Sequence, residues 1–385
     1  MSRRAVQFII FFSIFVSVYT LVNSYIFLRG WEVVPKEWHS WYAVLFVVLA
    51  YSFLLGRVLE RLTISWFSAA LVWVGSYWLA AMVYLLLSLY AIDILRLINH
   101  VVPIFPPVFN RAPRTTAQIV AVILGVLVLV VVVAGHLNAS NPRIRKLDIS
   151  IPKNSRALKS LNIVAASDIH LGTIIGRRKL DRIVSQINSL SPDLVLLPGD
   201  IFDEDIGPVI KKNLGEMLRS IQSKYGVIAV TGNHEYIGGV EPACSYMTAH
   251  GILVLRDAVT TIGDSVLVVG REDRSISGFA GKKRKSLDEI LAGVDKSYPI
   301  ILMDHQPFTL DEAVANGVDF QISGHTHHGQ IWPFGYIARK IYEVSWGYKK
   351  KGSTHIYVSC GVGTWGPPVR TGNRPEIVNV RVKFE

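Results

Sequence analysis

The stretch Ser323-Gly324-His325-Thr326-His327-His328-Gly329 follows a short apolar run at residues 318–322. The run predicts a strand that leads into a turn hinged by glycine. Because side chains alternate in direction along a strand, we expect His325 and His327 to leave the strand end on the same side. A metal site needs two imidazoles at one place, whereas a hydrophobic core does not. The stretch therefore predicts metal ligands at the end of a buried strand.

The same pattern, an apolar run that ends in polar side chains, occurs four more times upstream. The residues that follow these runs are Asp168 and His170, then Asp200 with Asp203 close behind, then Asn233 and His234, and finally His305. In α/β sheets, ligands collect outside the carboxyl ends of the strands. We therefore interpret the five strand ends as parts of one active site.

The composition indicates a membrane-associated, basic protein. The chain has 385 residues, a formal net charge of +11 and 50% hydrophobic residues, and the hydrophobic excess lies almost wholly in roughly the first 140 residues. Such a charge suits an anionic membrane surface, nucleic acid or an anionic substrate, and the apolar N-terminal part favours the membrane over nucleic acid. Cys244 and Cys360 offer neither a disulfide framework nor a zinc spacing, and they fit a reducing compartment.

Four long apolar segments in the N-terminal part predict transmembrane helices. They cover residues 5–28, 41–55, 64 to about 92, and 115 to about 137. The first segment exceeds the core of a signal peptide and has no convincing cleavage site, so we interpret it as a retained span. We therefore expect an integral, multi-pass membrane protein.

Basic residues that flank the spans indicate the orientation of the chain. Four spans put both ends of the chain on one side of the membrane. That side would carry Arg3, Arg4, Arg57, Arg61, Arg143, Arg145, Lys146 and Lys153, and the opposite side would carry Arg29, Lys36, Arg96, Arg111 and Arg114. The excess on the first side predicts a cytoplasmic catalytic domain.

Changes of composition along the chain predict three parts. Residues 1–138 form a transmembrane domain with four helices, residues 139–160 a basic linker, and residues 161–385 a catalytic domain. Inside the linker, the alternation of Leu147, Ile149 and Ile151 with polar residues predicts a half-buried edge strand. Beyond it, short apolar runs alternate with helical patterns at 178–190 and 209–221, which is typical of an α/β domain.

The candidate metal ligands are Asp168, His170, Asp200, Asn233, His305, His325 and His327. Oxygen and imidazole ligands without thiolates suit manganese, iron or zinc, and of these we favour manganese. Seven ligands are too many for one structural zinc ion and suit two divalent ions that share a carboxylate. We choose Asp200 as the shared ligand, because other ligands lie on either side of it in sequence. A hydroxide between the two metals would be the nucleophile.

His234 directly follows Asn233 and need not be a ligand itself. We interpret it as the catalytic group that protonates the leaving alkoxide or stabilises charge at phosphorus. General acid assistance of this kind is typically worth about 10²–10⁴-fold in rate. Asp203 either orients a ligand from behind or is an ordinary solvated loop residue.

Together these motifs resemble the calcineurin-like metallophosphoesterase superfamily. The pattern consists of Asp168-Ile169-His170, Gly199-Asp200, Gly232-Asn233-His234-Glu235, His305 and Gly324-His325-Thr326-His327, and it covers the chain from Leu161 to the C-terminus. The resemblance implies a β-sandwich flanked by helices. It also implies one metal held by Asp168, His170, Asp200 and His327, and another held by Asp200, Asn233, His305 and His325.

The C-terminal residues look like a membrane-associated branch of that superfamily, some members of which cleave phosphoesters or pyrophosphates of lipid-linked molecules. His328 stands where that branch usually has glycine, and it is either an extra substrate contact or an exposed neutral change. Arg370 and Arg374 either contact phosphate or pair with carboxylates. The basic runs at 282–285 and 349–351 are either solvated loops or sites for anionic headgroups.

The sequence thus predicts a membrane-anchored, dinuclear metal-dependent phosphoesterase that hydrolyses a phosphoester or pyrophosphate of a lipid-linked or amphipathic substrate. A nuclease or cyclic-nucleotide phosphodiesterase with the same site is the alternative, although no basic groove interleaved with aromatic residues stands out. A catalytically silent metal-binding scaffold is a further alternative, which the complete ligand set and His234 disfavour. The sequence does not indicate an oligomeric state.

Overall fold

The computed structural model describes residues 3–106, 113–153, 155 and 157–385. The chain forms two compact units, Met1–Ala134 and Gly135–Glu385. Each unit has its own buried apolar cluster.

Long apolar helices make up the N-terminal unit. They are α1 (Arg3–Val33), α2 (His39–Leu62), α3 (Trp66–Val101) and α4 (Pro113–Ala139), and the last turn of α4 belongs to the second unit. Among the described residues, four segments are long and apolar enough to cross a membrane: Phe12–Val33, Lys36–Leu62, Trp66–Val101 and Arg114–Ala139. The four predicted apolar helices are therefore confirmed. Arg111, which the orientation prediction used, lies outside the described residues.

Polar side chains join α1 to α3 near the ends of these helices. Asp93 on α3 accepts hydrogen bonds from the Tyr25 hydroxyl, at 2.6 Å, and from the Arg29 guanidinium. Arg96 lies 4.0 Å from the same carboxylate. Charged side chains within a membrane are tolerated mainly when they are paired. We therefore interpret these groups as a polar link between two helices.

Two six-stranded sheets form the framework of the C-terminal unit, in the orders β1-β12-β2-β3-β4-β5 and β10-β11-β9-β8-β7-β6. The strands are β1 (Arg143–Ile151), β2 (Ser160–Ala165), β3 (Leu194–Pro198), β4 (Val227–Val230), β5 (Ile252–Val254), β6 (Ala258–Ile262), β7 (Val266–Gly270), β8 (Ile300–Met303), β9 (Phe320–Ser323), β10 (Gly347–Lys351), β11 (Thr354–Val358) and β12 (Glu376–Phe384). β2 to β5 are parallel in the first sheet, as are β7, β8, β9 and β11 in the second. The carboxyl ends of these strands therefore meet at one edge of each sheet.

The two sheets pack face to face on one apolar core. Ile163, Leu196 and Ile228 of the first sheet share a buried cluster with Ile301 and Phe320 of the second. Fully burying a side chain of this size contributes about 1.5–3 kcal/mol. The β-sandwich that the resemblance implied is therefore present, and the predicted α/β class is confirmed.

Short helices flank the sandwich. They are α5 (Arg177–Ser189), α6 (Gly207–Lys211), α7 (Gly215–Arg219), α8 (Asn233–Gly238), α9 (Val240–Ala249), α10 (Ile276–Phe279), α11 (Leu287–Ile290), α12 (Leu310–Ala315) and α13 (Gly335–Ile341). The helix predicted at 178–190 is confirmed as α5. The single helix predicted at 209–221 is wrong, because Asn213 has a φ of 50° and interrupts the pattern between α6 and α7. Asparagine tolerates this left-handed conformation better than most residues.

The sequence patterns miss β6, β10 and β12. β12 matters most, because it lies between β1 and β2 and so joins the predicted edge strand β1 to the first sheet. β10 contains the basic run 349–351, in which Lys349 and Lys351 pair with Glu343. That run is therefore an edge strand and not a loop. Lysines suit such edges because they discourage pairing with another chain.

Candidate active site

The predicted ligands lie where strands of both sheets end. Asp168 and His170 follow β2, Asp200 follows β3, Asn233 follows β4, His305 follows β8, and His325 and His327 follow β9. β2, β3 and β4 belong to the first sheet, whereas β8 and β9 belong to the second. Asn233 and His325 are half-buried and the other five are buried. The carboxyl edges of the two sheets therefore contribute to one largely enclosed site.

Most of the predicted ligands have a left-handed backbone. The φ angles are 54° at Asp168, 53° at His170, 52° at Asp200, 71° at His325 and 45° at His327. Such conformations cost on the order of 1–3 kcal/mol each for residues other than glycine, and they cluster at functional sites. Their concentration at these strand ends indicates that the backbone is held so as to aim the side chains.

His325 and His327, which follow β9, contact different members of the predicted ligand set. β9 ends at Ser323, so neither histidine is part of the strand. His325 Nδ1 lies 2.8 Å from Asn233 Oδ1, whereas His327 Nε2 lies 3.0 Å from His170 Nε2. Both residues lie in the turn after the strand, where the alternation of side chains along a strand no longer applies, so the prediction that they leave on the same side stays a prediction. The turn brings them to two neighbouring points of one site.

The first ligand group consists of Asp168, His170 and His327. The Nε2 atoms of the two histidines are 3.0 Å apart, and His327 Nε2 lies 3.6 Å from Asp168 Oδ1. The two imidazoles and the carboxylate thus converge on a common centre. Nitrogen and oxygen atoms that converge in this way suit a divalent cation such as manganese, iron or zinc.

The second ligand group consists of Asp200, His305 and His325, with Asn233 beside it. His305 Nε2 lies 3.1 Å from Asp200 Oδ2 and 3.3 Å from Asn233 Oδ1. The same amide oxygen lies 2.8 Å from His325 Nδ1. These four side chains form a second centre with nitrogen and oxygen donors.

Asp200 lies between the two groups. Its Oδ2 is 3.1 Å from His305 Nε2 and 3.9 Å from His170 Nε2. Its Oδ1 accepts a hydrogen bond from the backbone N–H of His234 at 2.9 Å, which orients the carboxylate. A carboxylate in this position can be shared by two cations, as the sequence predicts for Asp200.

Glu235 forms hydrogen bonds with the backbone of the loops that carry Asp200 and Asn233. Its Oε2 accepts the backbone N–H groups of Asp200 and Gly232, at 3.0 Å and 2.7 Å. Its Oε1 accepts the backbone N–H of Phe202 at 3.0 Å. The carboxylate is buried, and both of its oxygens accept backbone hydrogen bonds, so Glu235 has a structural role.

Burial keeps three of the imidazoles free of protons. It lowers the pKa of His170 to about 3 and the pKa of His325 to about 4. Burial, together with His170 and the Arg370 guanidinium, holds the pKa of His327 well below its usual range. Since a histidine must be neutral to bind a metal, these residues are prepared to do so at neutral pH.

His305 differs from the other imidazoles. Burial opposes its protonation, but Asp200 and Asp168 outweigh that effect and raise the pKa of His305 well above its usual range. Burial also raises the pKa of Asp168 to about 6. A bound cation would take the place of the proton on His305 and offset the charge of the two carboxylates.

His234 lies at the edge of the first ligand group. Its ring packs edge-on against the His170 ring, with centroids 4.6 Å apart, and against the Trp365 ring, with centroids 6.0 Å apart. Its Nδ1 lies 3.6 Å from Asp203 Oδ1. Burial opposes protonation here too, but Asp200 and Asp203 raise the pKa of His234 to about 9. The imidazole is therefore placed to hold a proton, and Asp203 faces it.

Arg370 supports His327 from behind. Its side chain is completely buried and donates to the backbone carbonyls of Cys360, at 2.8 Å, and Gly363, at 2.7 Å. The same guanidinium lies 3.1 Å from His327 Nδ1. Neither alternative considered from the sequence, phosphate or a carboxylate partner, describes these contacts. Arg374 donates to the backbone carbonyl of Asn141 at 2.9 Å.

Asn373 is a supporting residue that the sequence motifs miss. Its side-chain amide donates to the backbone carbonyls of His327, at 2.5 Å, and His328, at 3.4 Å. These bonds hold the turn that carries His327. Its place between Gly372 and Arg374 in a polar turn is the only local signal, and it does not reveal what the amide contacts.

Arg284 anchors the strand end that carries His305. It forms an ion pair with Asp304 at 2.9 Å, and Arg271 lies 3.2 Å from the other oxygen of the same carboxylate. Both arginine side chains are largely buried. The basic run 282–285 therefore contains one residue that stabilises the site, which neither alternative considered from the sequence anticipates.

His328 is buried and does not fit the description of an exposed neutral change. Its Nδ1 lies 3.0 Å from the Ser345 hydroxyl oxygen, and its ring lies 5.2 Å from the Trp346 ring. Its backbone is left-handed, with a φ of 45°. The side chain thus connects the metal-ligand turn to the segment before β10.

Two glycines allow the strand ends to come together. Gly199 has a φ of 82°, and a Cβ there would lie 2.5 Å from His305 Nδ1. A Cβ on Gly324 would lie 2.3 Å from Asp168 Oδ2. Any larger residue at these positions would displace a predicted ligand, which explains the Gly199-Asp200 and Gly324-His325 pairs in the sequence.

Comparison with known proteins identifies the family. Residues 161–329 match the family model described as calcineurin-like phosphoesterase. An uncharacterized metallophosphoesterase of Aquifex aeolicus is 32% identical over 253 residues, which cover 64% of this chain and 94% of that protein. The chain belongs to the calcineurin-like phosphoesterase family, as the sequence motifs predicted.

Two further relatives each match about two thirds of this chain. An uncharacterized metallophosphoesterase of Helicobacter pylori is 32% identical over 249 residues, which cover 63% of this chain and 64% of that protein. The chain thus spans less than two thirds of the length of this relative. A transmembrane protein with metallophosphoesterase domain from Danio rerio is 31% identical over 271 residues, which cover 67% of this chain and 61% of that protein.

Proposed function

We propose that this protein is a membrane-anchored, dinuclear metal-dependent phosphoesterase that hydrolyses a phosphoester or pyrophosphate of a lipid-linked or amphipathic substrate. The observation that carries the proposal is the position of Asp200, whose Oδ2 lies 3.1 Å from His305 Nε2 and 3.9 Å from His170 Nε2. One carboxylate oxygen thus lies within 4 Å of an imidazole nitrogen from each of the two ligand groups, and a shared carboxylate is a feature of two-metal hydrolytic sites.

The donor set limits the choice of metal. The groups offer imidazole nitrogens, carboxylate oxygens and one amide oxygen, and the two cysteines of the chain lie outside both groups. Hard and intermediate donors without thiolate suit manganese, iron or zinc. Of these, we propose manganese.

We assign metal binding and proton transfer to different side chains of the site. When bound, two divalent cations neutralise the phosphoryl oxygens and lower the pKa of a water that attacks phosphorus. Asp168, His170, Asp200 and His327 would hold one cation, and Asp200, Asn233, His305 and His325 would hold the other. His234, with Asp203 behind it, supplies a proton to the leaving oxygen.

The membrane part of the chain supports an amphipathic substrate. Four apolar helices precede the catalytic unit in the chain, so spans in a bilayer would tether the site to a membrane. Trp365 is 54% exposed and packs on His234. An exposed indole beside the proton donor is suited to an apolar portion of a substrate.

The test uses detergent-purified protein that is stripped of metal and reloaded with manganese. We expect metal-dependent hydrolysis of at least one of p-nitrophenyl phosphate, bis(p-nitrophenyl) phosphate and diacylglycerol pyrophosphate. Asp200→Asn should abolish turnover because it weakens the shared ligand. His234→Ala should lower turnover by about 10²–10⁴-fold, the usual range for a proton donor.

Asp264→Asn serves as the matched control, because Asp264 is an exposed carboxylate in the turn between β6 and β7. It should retain full turnover. Elemental analysis should find two manganese ions per chain in the wild type and fewer in Asp200→Asn. Full activity with a single ion per chain would refute the proposal that two metals share Asp200. Two bound ions without turnover on any ester would favour a catalytically silent metal-binding scaffold.

A further inference from the structure

Large apolar side chains are exposed just after the metal-ligand turn. Trp332, Phe334, Tyr336, Ile337 and Ile341 each expose between 41% and 58% of their surface. We call these five residues the apolar rim. All five lie within ten positions of one another in the chain, and an exposed apolar patch usually marks a site of contact with a protein or a membrane.

The apolar rim carries positive charge as well. Arg339 and Lys340 lie on α13 between rim residues, and both are exposed. Among the described residues neither of them forms an ion pair with a carboxylate, and Arg339 instead packs over the Tyr336 ring at 4.7 Å. Exposed aromatic and aliphatic residues beside basic side chains are the composition of a segment that lies at a membrane interface.

The end of the fourth span is bonded to the loop formed by residues 368–373. Asn138, in the last turn of α4, donates its side-chain amide to the backbone carbonyls of Arg370, at 2.9 Å, and Asn373, at 2.7 Å. The backbone N–H of Arg370 donates to the Gly135 carbonyl at 3.0 Å. The point at which the chain leaves the apolar helix is therefore held against this loop.

The other side of the same loop holds the start of the apolar rim. The Thr371 backbone N–H donates to the Gln330 carbonyl at 3.1 Å. The Trp332 backbone N–H donates to the Thr371 hydroxyl at 3.0 Å. The rim thus begins one loop away from the last turn of α4, the helix that forms the fourth apolar span.

The apolar rim is also continuous with the catalytic residues. The Gln330 side chain donates to the Trp365 carbonyl and accepts from the Trp365 backbone N–H, both at 3.0 Å. Trp365 in turn packs on His234, with ring centroids 6.0 Å apart. A path of direct contacts therefore leads from the proton donor to Gln330, which is two residues from Trp332.

We propose that the apolar rim inserts into the boundary between headgroups and acyl chains of an anionic bilayer, with Arg339 and Lys340 on the phosphates. Trp and Tyr favour this boundary, and basic residues near it are attracted to anionic lipid. The consequence, that the substrate enters the site from the membrane surface, rests on the proposed phosphoesterase function. The insertion itself does not depend on turnover.

The first test measures insertion without any substrate. Both native cysteines are buried, so a single surface cysteine can be labelled with an environment-sensitive fluorophore in the full-length protein. Ile337→Cys reports on the rim, and Leu253→Cys, 48% exposed on β5, is the matched control. In proteoliposomes of phosphatidylethanolamine and phosphatidylglycerol with nitroxide-labelled headgroups, we expect strong quenching at residue 337 and little at residue 253. Equal quenching at the two positions would refute insertion.

The second test measures the effect on catalysis. Ile337→Glu combined with Ile341→Glu should lower turnover of a lipid ester in the same vesicles by about tenfold or more, because charged residues resist insertion. Turnover of soluble p-nitrophenyl phosphate should stay unchanged, and Leu253→Glu should leave both rates unchanged. An unchanged rate on the lipid ester would refute the proposal.

The two tests separate this inference from the proposed function. If the wild type hydrolyses neither ester with metals bound, the phosphoesterase function fails while the quenching at residue 337 still decides on insertion. If the double variant loses both rates, its fold is disturbed. The quenching of the labelled Ile337→Cys protein then decides whether the rim inserts.

Discussion

At the scale of single residues, the site depends on buried groups that hold the ligands rather than on the ligands alone. Glu235 accepts backbone N–H groups from Asp200, Phe202 and Gly232. Asp200 is one of the residues with a left-handed backbone, which costs free energy unless neighbours stabilise it. Glu235 is therefore expected to stabilise the conformation in which Asp200 lies between the two ligand groups.

We expect Glu235→Gln to destabilise the catalytic unit and to weaken metal binding. A glutamine offers one acceptor oxygen and one amide group, so the amide would face the backbone N–H of Phe202 and leave it unpaired. A buried, unpaired donor costs about 1–3 kcal/mol, which corresponds to roughly 2–4 °C in the unfolding midpoint per kcal/mol for a unit of this size. Thermal unfolding and manganese titration of the metal-free protein measure both effects.

Glu216→Gln is the control for that experiment. Glu216 is exposed and pairs with Arg219 on the surface, and such pairs contribute little to stability. The control should unfold and bind manganese like the wild type. Identical behaviour of Glu235→Gln and the wild type would show that the three backbone bonds do not hold Asp200 in place.

At the scale of secondary-structure elements, β12 connects the two sheets through its first residue. Glu376 is buried, and its Oε1 accepts hydrogen bonds from Trp346 Nε1, at 2.9 Å, and from the Tyr357 hydroxyl, at 3.2 Å. Tyr357 belongs to β11 of the second sheet, whereas β12 lies in the first. Arg145 of β1 lies 3.6 Å from Glu376 Oε2. The carboxylate therefore links strands of both sheets.

Glu376 should make the stability of the catalytic unit depend on pH. Burial raises the pKa of Glu376 above its ordinary value. At pH values between the unfolded and the folded pKa, the folded chain therefore binds more protons than the unfolded chain. Its contribution is then most favourable below the unfolded pKa of about 4.3 and is lost as the pH rises through the folded pKa. We expect the wild type to lose thermal stability relative to Glu376→Gln between acidic and neutral pH.

Asp148→Asn is the control for the pH series, because Asp148 is exposed on the neighbouring strand β1. The difference in melting temperature between this variant and the wild type should not follow the Glu376→Gln trend. A wild type that gains stability over Glu376→Gln as the pH rises would contradict the direction of the pKa shift.

At the scale of the whole molecule, the number of spans and the basic residues determine which compartment receives the catalytic unit. The chain has four apolar helices among its described residues and a net charge of +11. Basic residues near span ends remain on the cytoplasmic side. We expect green fluorescent protein fused to the C-terminus to fluoresce in cells, and alkaline phosphatase at the same position to be inactive.

A fusion after residue 106, beyond the third span, provides the matched control and should give the opposite pattern. Phosphatase activity at the C-terminus together with fluorescence at residue 106 would place the catalytic unit outside the cytoplasm. In that case the apolar rim would face the outer leaflet of the same membrane.

The sequence by itself determined the parts of this protein that depend on neighbouring residues. The length of apolar runs revealed the four helices, and apolar runs ending in Asp, Asn or His revealed β2, β3, β4, β8 and β9 with the candidate ligands after them. These signals are local, because a span or a strand is defined by a few consecutive residues. Local signals failed where the backbone changes direction, as at Asn213. The alternation of apolar and polar residues at 378–384 is a local strand signal for β12, but it does not reveal that β12 lies between β1 and β2.

Only the tertiary structure decided which residues meet. His170 and His327 are 157 positions apart, yet their Nε2 atoms lie 3.0 Å from each other. Arg370 contacts His327 across 43 positions, and Asn138 contacts the backbone of Arg370 across 232 positions. Such contacts depend on how the two sheets pack on a common core. That packing results from the burial of apolar residues along the whole chain, so no short stretch of sequence predicts it. The apolar rim became visible for the same reason, because exposure is a property of the folded chain.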